Sequence, residues 1–352
     1  MKSMTKIAIG LGTLTFSFAA QAEVRVQGGG ATFPAPIYQR WVAEYQKAHP
    51  DVTVDYQSIG SGGGIKGITS RAFDFAGSDA PMSKTELAGA GGADTLIEIP
   101  TVAGAVVVAY NLPGFSGELK LDGPTVAEIY LGAIKTWNDP KIAALNPGVS
   151  LPATGIVAVH RADGSGTTYV FTRYLAGQSP EFNTKIGSAK QVEWPTGAGG
   201  PGNPGVAQIV KQTPGSIGYI ELAFAIENKI PFAEMKNKDG KFIKATTEGV
   251  SLAGEGAVGG LKGDILAANI WNQPGEKSYP ISSFTYIIVH KDLGGLKDPA
   301  KAKALVGFLR WALTDGEKIA PELYYAPLSE GVQKKALEAL SHLTLDGKPV
   351  AQ

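Results

Sequence analysis

Strand and helix patterns alternate along this chain, and that alternation constrains its fold more than any other feature. Ile37, Tyr38, Trp41, Val42 and Tyr45 recur at helical spacing, and Val52, Val54 and Tyr56 follow with the two-residue period of a strand. Further strand candidates lie at residues 73–77, 102–110, 156–160, 217–221 and 284–290, with helix patterns at 125–131, 168–175 and 205–212 between them. This order predicts an α/β protein with mostly parallel sheets. Asp298-Pro299 and the stripe Ala304, Leu305, Phe308, Leu309, Trp311 predict a C-terminal helix capped by aspartate and opened by proline.

The N-terminus has a different character. Lys2 and Lys6 precede an apolar run over about residues 7–20, and Ala20-Gln21-Ala22 has the small-x-small form of a cleavage site. Residues 1–22 therefore read as a secretory signal peptide; a buried first helix is the weaker alternative, because the run is short and no acidic residue precedes Glu23. No later stretch approaches the ~20 apolar residues of a membrane span. There is no cysteine for a lipid anchor or a disulfide, and a chain of 352 residues can bury enough apolar surface without staples. A soluble periplasmic protein is expected, and its length favours two domains.

Charge excludes one class of partner. The chain has 32 basic and 32 acidic side chains, and removing Lys2 and Lys6 leaves 30 against 32. A nucleic-acid binder would need a basic stripe, so none is expected as a partner. Any affinity for anions has to come from a local site.

Three segments share one design, glycine and hydroxyl residues opening into a helix. They are Gly28-Gly29-Gly30-Ala31-Thr32-Phe33-Pro34, Gly60-Ser61-Gly62-Gly63-Gly64 and Asp163-Gly164-Ser165-Gly166-Thr167-Thr168. Helix starts leave backbone N–H groups unpaired and carry partial positive charge, so they bind anions without formal charge. Each alone also reads as an ordinary capped turn; three together point to an oxyanion site. Arg161 ends a strand just before the third segment, and its fork suits two oxygens of a tetrahedral anion. Asp163 is near enough to orient it, the alternative being a local surface pair. Asp79, beside Pro81, reads either as a turn residue or as an acceptor facing the anion. A carboxylate there repels an anion unless the anion brings a proton, as phosphate does near neutral pH and sulfate does not.

Other chemistries lack their parts. Gly62-Gly63-Gly64-Ile65-Lys66-Gly67 fits a dinucleotide fingerprint without the ribose-binding acid about 20 residues on. Ser165 lacks the flanking glycines of a nucleophile elbow. The four histidines, His49, His160, His290 and His342, form no metal-ligand pattern. Neither a metal nor a cofactor is expected, and no enzymatic activity.

The strings Gly29-Gly30-Ala31-Thr32-Phe33-Pro34-Ala35-Pro36, Ile59-Gly60-Ser61-Gly62-Gly63, Ser78-Asp79-Ala80-Pro81, Arg161-Ala162-Asp163-Gly164-Ser165-Gly166-Thr167 and Pro214-Gly215-Ser216-Ile217-Gly218-Tyr219 resemble the periplasmic phosphate-binding proteins that feed ABC-type importers. The resemblance implies a two-lobed periplasmic-binding-protein fold with a ligand cleft and a two-segment hinge. Lobe 1 would comprise residues 23–102 and 283–352, lobe 2 residues 103–282, with crossings near 100–103 and 280–283. It also implies phosphate contacts from Thr32, Phe33, Ser61, Asp79, Arg161, Ser165, Gly166 and Thr167, with Asp163 orienting the arginine. Gly62 stands where relatives carry serine, and residues 197–205 fall near the cleft without assigned contacts. The implied partners are inorganic phosphate and the membrane permease, and a monomer is expected. A phosphatase, a sulfate or molybdate binder and an adhesin are the rival readings.

Overall fold

A computed structural model describes residues 23–350; the expected signal peptide, residues 1–22, lies outside them. Strands β1 (Val24–Gly30), β2 (Val52–Ser58), β3 (Phe75–Ser78) and β4 (Leu96–Tyr110) come first. They are followed by β5 (Lys120–Leu121), β6 (Val157–Arg161), β7 (Ala198–Gly200), β8 (Ser216–Glu221), β9 (Glu234–Lys236), β10 (Phe242–Ile243) and β11 (Ser282–His290). Eight strands join in the order β2-β1-β3-β11-β4-β8-β6-β7, and β10-β9-β5 form a small separate sheet.

The fold is α/β, and its spine is β4. All of its residues are buried. It pairs antiparallel with β11 from Leu96 to Ala105, then with β8 from Val106 to Tyr110. One strand therefore serves both halves of the molecule. Parallel pairings, expected to predominate, occupy the two ends of the sheet: β2 and β3 flank β1, and β7 and β8 flank β6. The central pairings of β11 with β3, β11 with β4 and β4 with β8 are antiparallel.

β4 begins earlier than its apolar run suggests. Pro100, which has no N–H to give, sits at a bulge where Tyr286 faces Pro100 and Thr285 faces Val102. β1 is an element the sequence reading passes over, since three of its seven residues are glycines of low strand propensity. Pairing with both β2 and β3 imposes the strand.

Packing assigns the terminal helix. Asp298 accepts from the N–H groups of Ala300 and Lys301 at the start of the helix Pro299–Ala312. Phe308 within it lies 5.4 Å from the ring of Tyr45 and 6.0 Å from that of Phe75, so this helix, which the helix Glu330–Leu340 follows, packs on the N-terminal half. In the other half, Phe171 stacks on Tyr219 at 4.3 Å and meets Tyr130 edge-on at 5.0 Å.

The helix Ser61–Thr69 lies close on β1 and β3. A Cβ on Gly64 would come within 2.7 Å of Gly30 Cα and 2.9 Å of the Gly77 carbonyl oxygen, both backbone atoms that cannot swing aside. Gly64→Ala should therefore destabilise the protein by about 1–3 kcal/mol. The urea midpoint should fall at unchanged slope, and an unchanged midpoint would show that the helix lifts off without cost.

Candidate functional site

Five chain segments leave parallel strands at their C-terminal ends, where α/β sheets present ligand contacts. β1 leads through Thr32 and Phe33 into the helix Ala35–Ala48, and β2 leads into Ser61–Thr69. β3 ends at Ser78, directly before Asp79; β6 ends on Arg161 and leads into Gly166–Gln178; β7 leads into Gly202–Gln212. The three expected helix starts are present, and Gly202–Gln212 adds a fourth. Thr32, Phe33, Ser61, Asp79, Arg161, Ser165 and Thr167 are all buried.

Arg161 is the only buried cation in the group. Its side chain is 1 % exposed, which removes the reading of a surface pair. Asp163 takes the fork two-handed, from Nε at 2.8 Å and Nη2 at 2.5 Å. Nη1 donates to Thr167 Oγ1 at 3.3 Å. A guanidinium has five N–H donors, so with these three engaged two are left for a ligand. Below it, Tyr219 accepts from the Arg161 backbone N–H at 3.0 Å, and its hydroxyl lies 2.7 Å from Thr168 Oγ1. The aromatic core thus fixes the strand end that carries the arginine. Burial works against the charge of Asp163, but the hydrogen bond and charge of Arg161 outweigh it and hold this carboxyl below the usual range.

Asp79 is held differently. It is 1 % exposed and its Oδ1 accepts from the Thr285 hydroxyl at 2.9 Å. The Asp79 N–H donates to Ser61 Oγ at 3.3 Å, and the same oxygen accepts from the Gly166 N–H at 3.0 Å. Gly166 comes so near that a Cβ there would stand 2.5 Å from Asp79 Oδ2. Burial pushes the Asp79 carboxyl up to about 7, against the pull of the Thr285 hydroxyl and the Arg161 charge.

These bonds already cross between the two halves of the sheet. Gly62 N–H donates to the Gly164 carbonyl at 2.8 Å, and Lys190 reaches Glu86 at 2.7 Å. Ser165 caps its own helix by accepting from the Thr168 N–H, and its backbone N–H donates to the Lys190 carbonyl. Phe33 is buried, with its carbonyl accepting from the Tyr325 hydroxyl at 2.6 Å.

Two participants lie outside the expected set. Thr285, on β11 opposite the bulge that Thr101 makes in β4, supports Asp79. Asn203, in the first turn of Gly202–Gln212, donates through Nδ2 to Thr32 Oγ1 at 2.8 Å and to Thr167 Oγ1 at 3.1 Å. Asn203 lies inside the glycine-rich 197–205 segment, to which the sequence analysis assigns no contacts.

Two sheet halves meeting over buried donors, with helix starts converging from both sides, define a two-lobed solute-binding protein. The chain matches the PBP superfamily domain over residues 17–316. It is 42% identical over 340 residues to the phosphate-binding protein PstS of Pasteurella multocida, covering 94% of each chain. It is 40% identical to PstS of Methanocaldococcus jannaschii, covering 89% of this chain and 84% of that one. The solved phosphate-binding protein from Stenotrophomonas maltophilia has the same fold, with TM-score 0.68, 20% identity, and coverage of 89% of this chain and 92% of that chain. The chain belongs to the PstS family of phosphate-binding proteins within the PBP superfamily.

The raised Asp79 pKa carries a stability signature. A carboxyl near 7 in the folded protein, against about 3.9 unfolded, favours folding below the unfolded value, and that contribution is lost as pH rises through the folded one. In thermal melts of the ligand-free protein, Asp79→Asn should be more stable than wild type at pH 8, and the gap should close toward pH 4. A gap independent of pH would show that Asp79 titrates normally.

Proposed function

We propose that the protein binds inorganic phosphate in the periplasm and delivers it to the permease subunits of an ABC-type importer, as a monomer and without catalysis. The observation that carries this reading is the opposition of Arg161 and Asp79. The arginine offers two free donors to a multiply charged anion, and Asp79, when ionised, offers an acceptor that only a protonated anion can use. The names of the relatives agree with it.

In this reading Thr32, Phe33, Ser61 and Asp79 grip phosphate from lobe 1, and Arg161, Ser165, Gly166 and Thr167 from lobe 2. Asp163 orients the guanidinium. Lobe 1 comprises residues 23–102 and 283–352 and lobe 2 residues 103–282, with β4 and β11 as the two-segment hinge. Because the contacting groups are buried, entry requires the lobes to part, and binding favours closure by its greater affinity for the closed form. Export by cleavage after Ala22 would place the protein where importers collect their cargo.

Absence of catalysis rests on Ser165. Its hydroxyl oxygen is occupied as a helix cap, and His160 turns its Nδ1 to the Arg161 carbonyl instead. An activated nucleophile would need a base within hydrogen-bond reach.

Titration calorimetry with phosphate, arsenate and sulfate tests the reading. Phosphate and arsenate should bind, with sulfate weaker by on the order of 10⁴-fold, since a site built around one ligand proton rejects the analogue lacking it. Asp79→Asn should erase most of that preference. Sulfate bound as tightly as phosphate by the wild type would overturn the assignment, as would turnover of a chromogenic phosphate ester abolished by Ser165→Ala.

A further inference from the structure

Asn203 stands where the two halves of the site meet, fully buried. Its Oδ1 accepts from the Glu221 N–H at 2.9 Å. Only the oxygen of the amide can face a backbone donor, so this bond fixes the orientation of the group. Both hydrogens on Nδ2 are then committed, one to Thr32 Oγ1 and one to Thr167 Oγ1. Each threonine receives a second bond to the same oxygen. The Asn203 backbone N–H reaches Thr32 Oγ1 at 3.0 Å, and Arg161 Nη1 reaches Thr167 Oγ1 at 3.3 Å.

A hydroxyl carries one proton and two lone pairs. With both lone pairs filled, neither threonine can accept a hydrogen bond from a ligand, and each retains one proton to give. We propose that Asn203 is a positioning residue that turns Thr32 and Thr167 into obligate donors toward the bound anion, which leaves the ligand's own proton to Asp79. The inference rests on the phosphate-binding reading above.

The arrangement also ties specificity to closure. Thr32 belongs to one half and Asn203 and Thr167 to the other, so parting the lobes removes both bonds that Thr32 accepts and frees its hydroxyl to rotate. Donor orientation is completed only in the closed form. A phosphate whose proton pointed at either threonine would set proton against proton, so a single orientation of the ligand is selected.

Calorimetry with inorganic phosphate on wild type, Asn203→Asp and Asn203→Ala at pH 8 and pH 5.5 tests this. At pH 8 the introduced carboxylate should draw both threonine protons away from the ligand. Affinity should then fall about 100-fold relative to wild type, against about tenfold for Asn203→Ala. At pH 5.5 protonation of that buried carboxyl restores a donor, and the excess loss of Asn203→Asp over Asn203→Ala should shrink at least about threefold. Equal losses for both variants at both pH values would reduce Asn203 to packing and overturn the proposal. If Asn203→Asp fails to give a cooperative melt, a double-mutant cycle of Asn203→Ala with Thr167→Val decides. Coupling of about fivefold is expected, and additivity overturns the proposal. Wild type that does not bind phosphate would instead overturn the functional reading.

Discussion

A buried guanidinium is the constraint around which the rest of the structure is arranged. Removing a charge from water costs several kcal/mol unless it is paired and hydrogen-bonded, and the Arg161 side chain is 1 % exposed. Asp163 offsets that cost from one edge of the fork, and Thr167 accepts one bond from the other. The pair works only if β6 stops at Arg161 and the next helix starts at Gly166. The hydroxyl of Tyr219, rooted in the aromatic core, sets that strand end. Asp163 in turn accepts from the Gly202 N–H at 3.0 Å, which aligns the fourth helix start beside the arginine.

What could be read from the sequence follows from how local each determinant is. Arg161 and Asp163 are two residues apart, and the helix starts carry their glycine and hydroxyl signals within a few positions, so these were legible. So was the Asp298-Pro299 start of the terminal helix. Thr285 supports Asp79 from 206 residues away, and Asn203 reaches Thr32 across 171. Neither has a local pattern, because its role exists only once β11 lies beside β3 and the lobes meet. β1 was illegible for a related reason: its glycines argue against a strand, and pairing on both edges overrides them. The position of Asp79 was legible as a turn, whereas its burial, and so its raised pKa, depends on the closed cleft.

The division between lobes shows the same dependence on tertiary context. The resemblance implies a first crossing near residues 100–103, and β4 changes partners a few residues on, between Ala105 and Val106. The β4 bulge at Pro100–Val102 lies on the side of the first lobe. It interrupts the ladder beside Thr285, the residue whose hydroxyl donates to Asp79. Tyr325 adds a contact near the crossing: its hydroxyl lies between the Phe33 carbonyl and Glu221 Oε2, at 2.6 and 3.1 Å. Burial pushes Glu221 well above the ordinary carboxylate range, and a protonated Glu221 can donate to Tyr325 while Tyr325 donates to Phe33.

A site with one arginine and two acidic neighbours has no surplus of positive charge, and the chain as a whole has none either. Its hold on an anion must come from oriented dipoles. Backbone N–H groups at helix starts and fixed hydroxyls are weak partners in water and strong ones where water is excluded, because the local dielectric falls and no reorganisation is needed. On the proposed reading the lobes have to close for the dipoles to act, and the dipoles have to act for closure to be favoured. That reciprocity explains why a nearly neutral protein can bind an anion through buried groups: affinity is generated when the cleft shuts, by donors whose directions the fold has already settled.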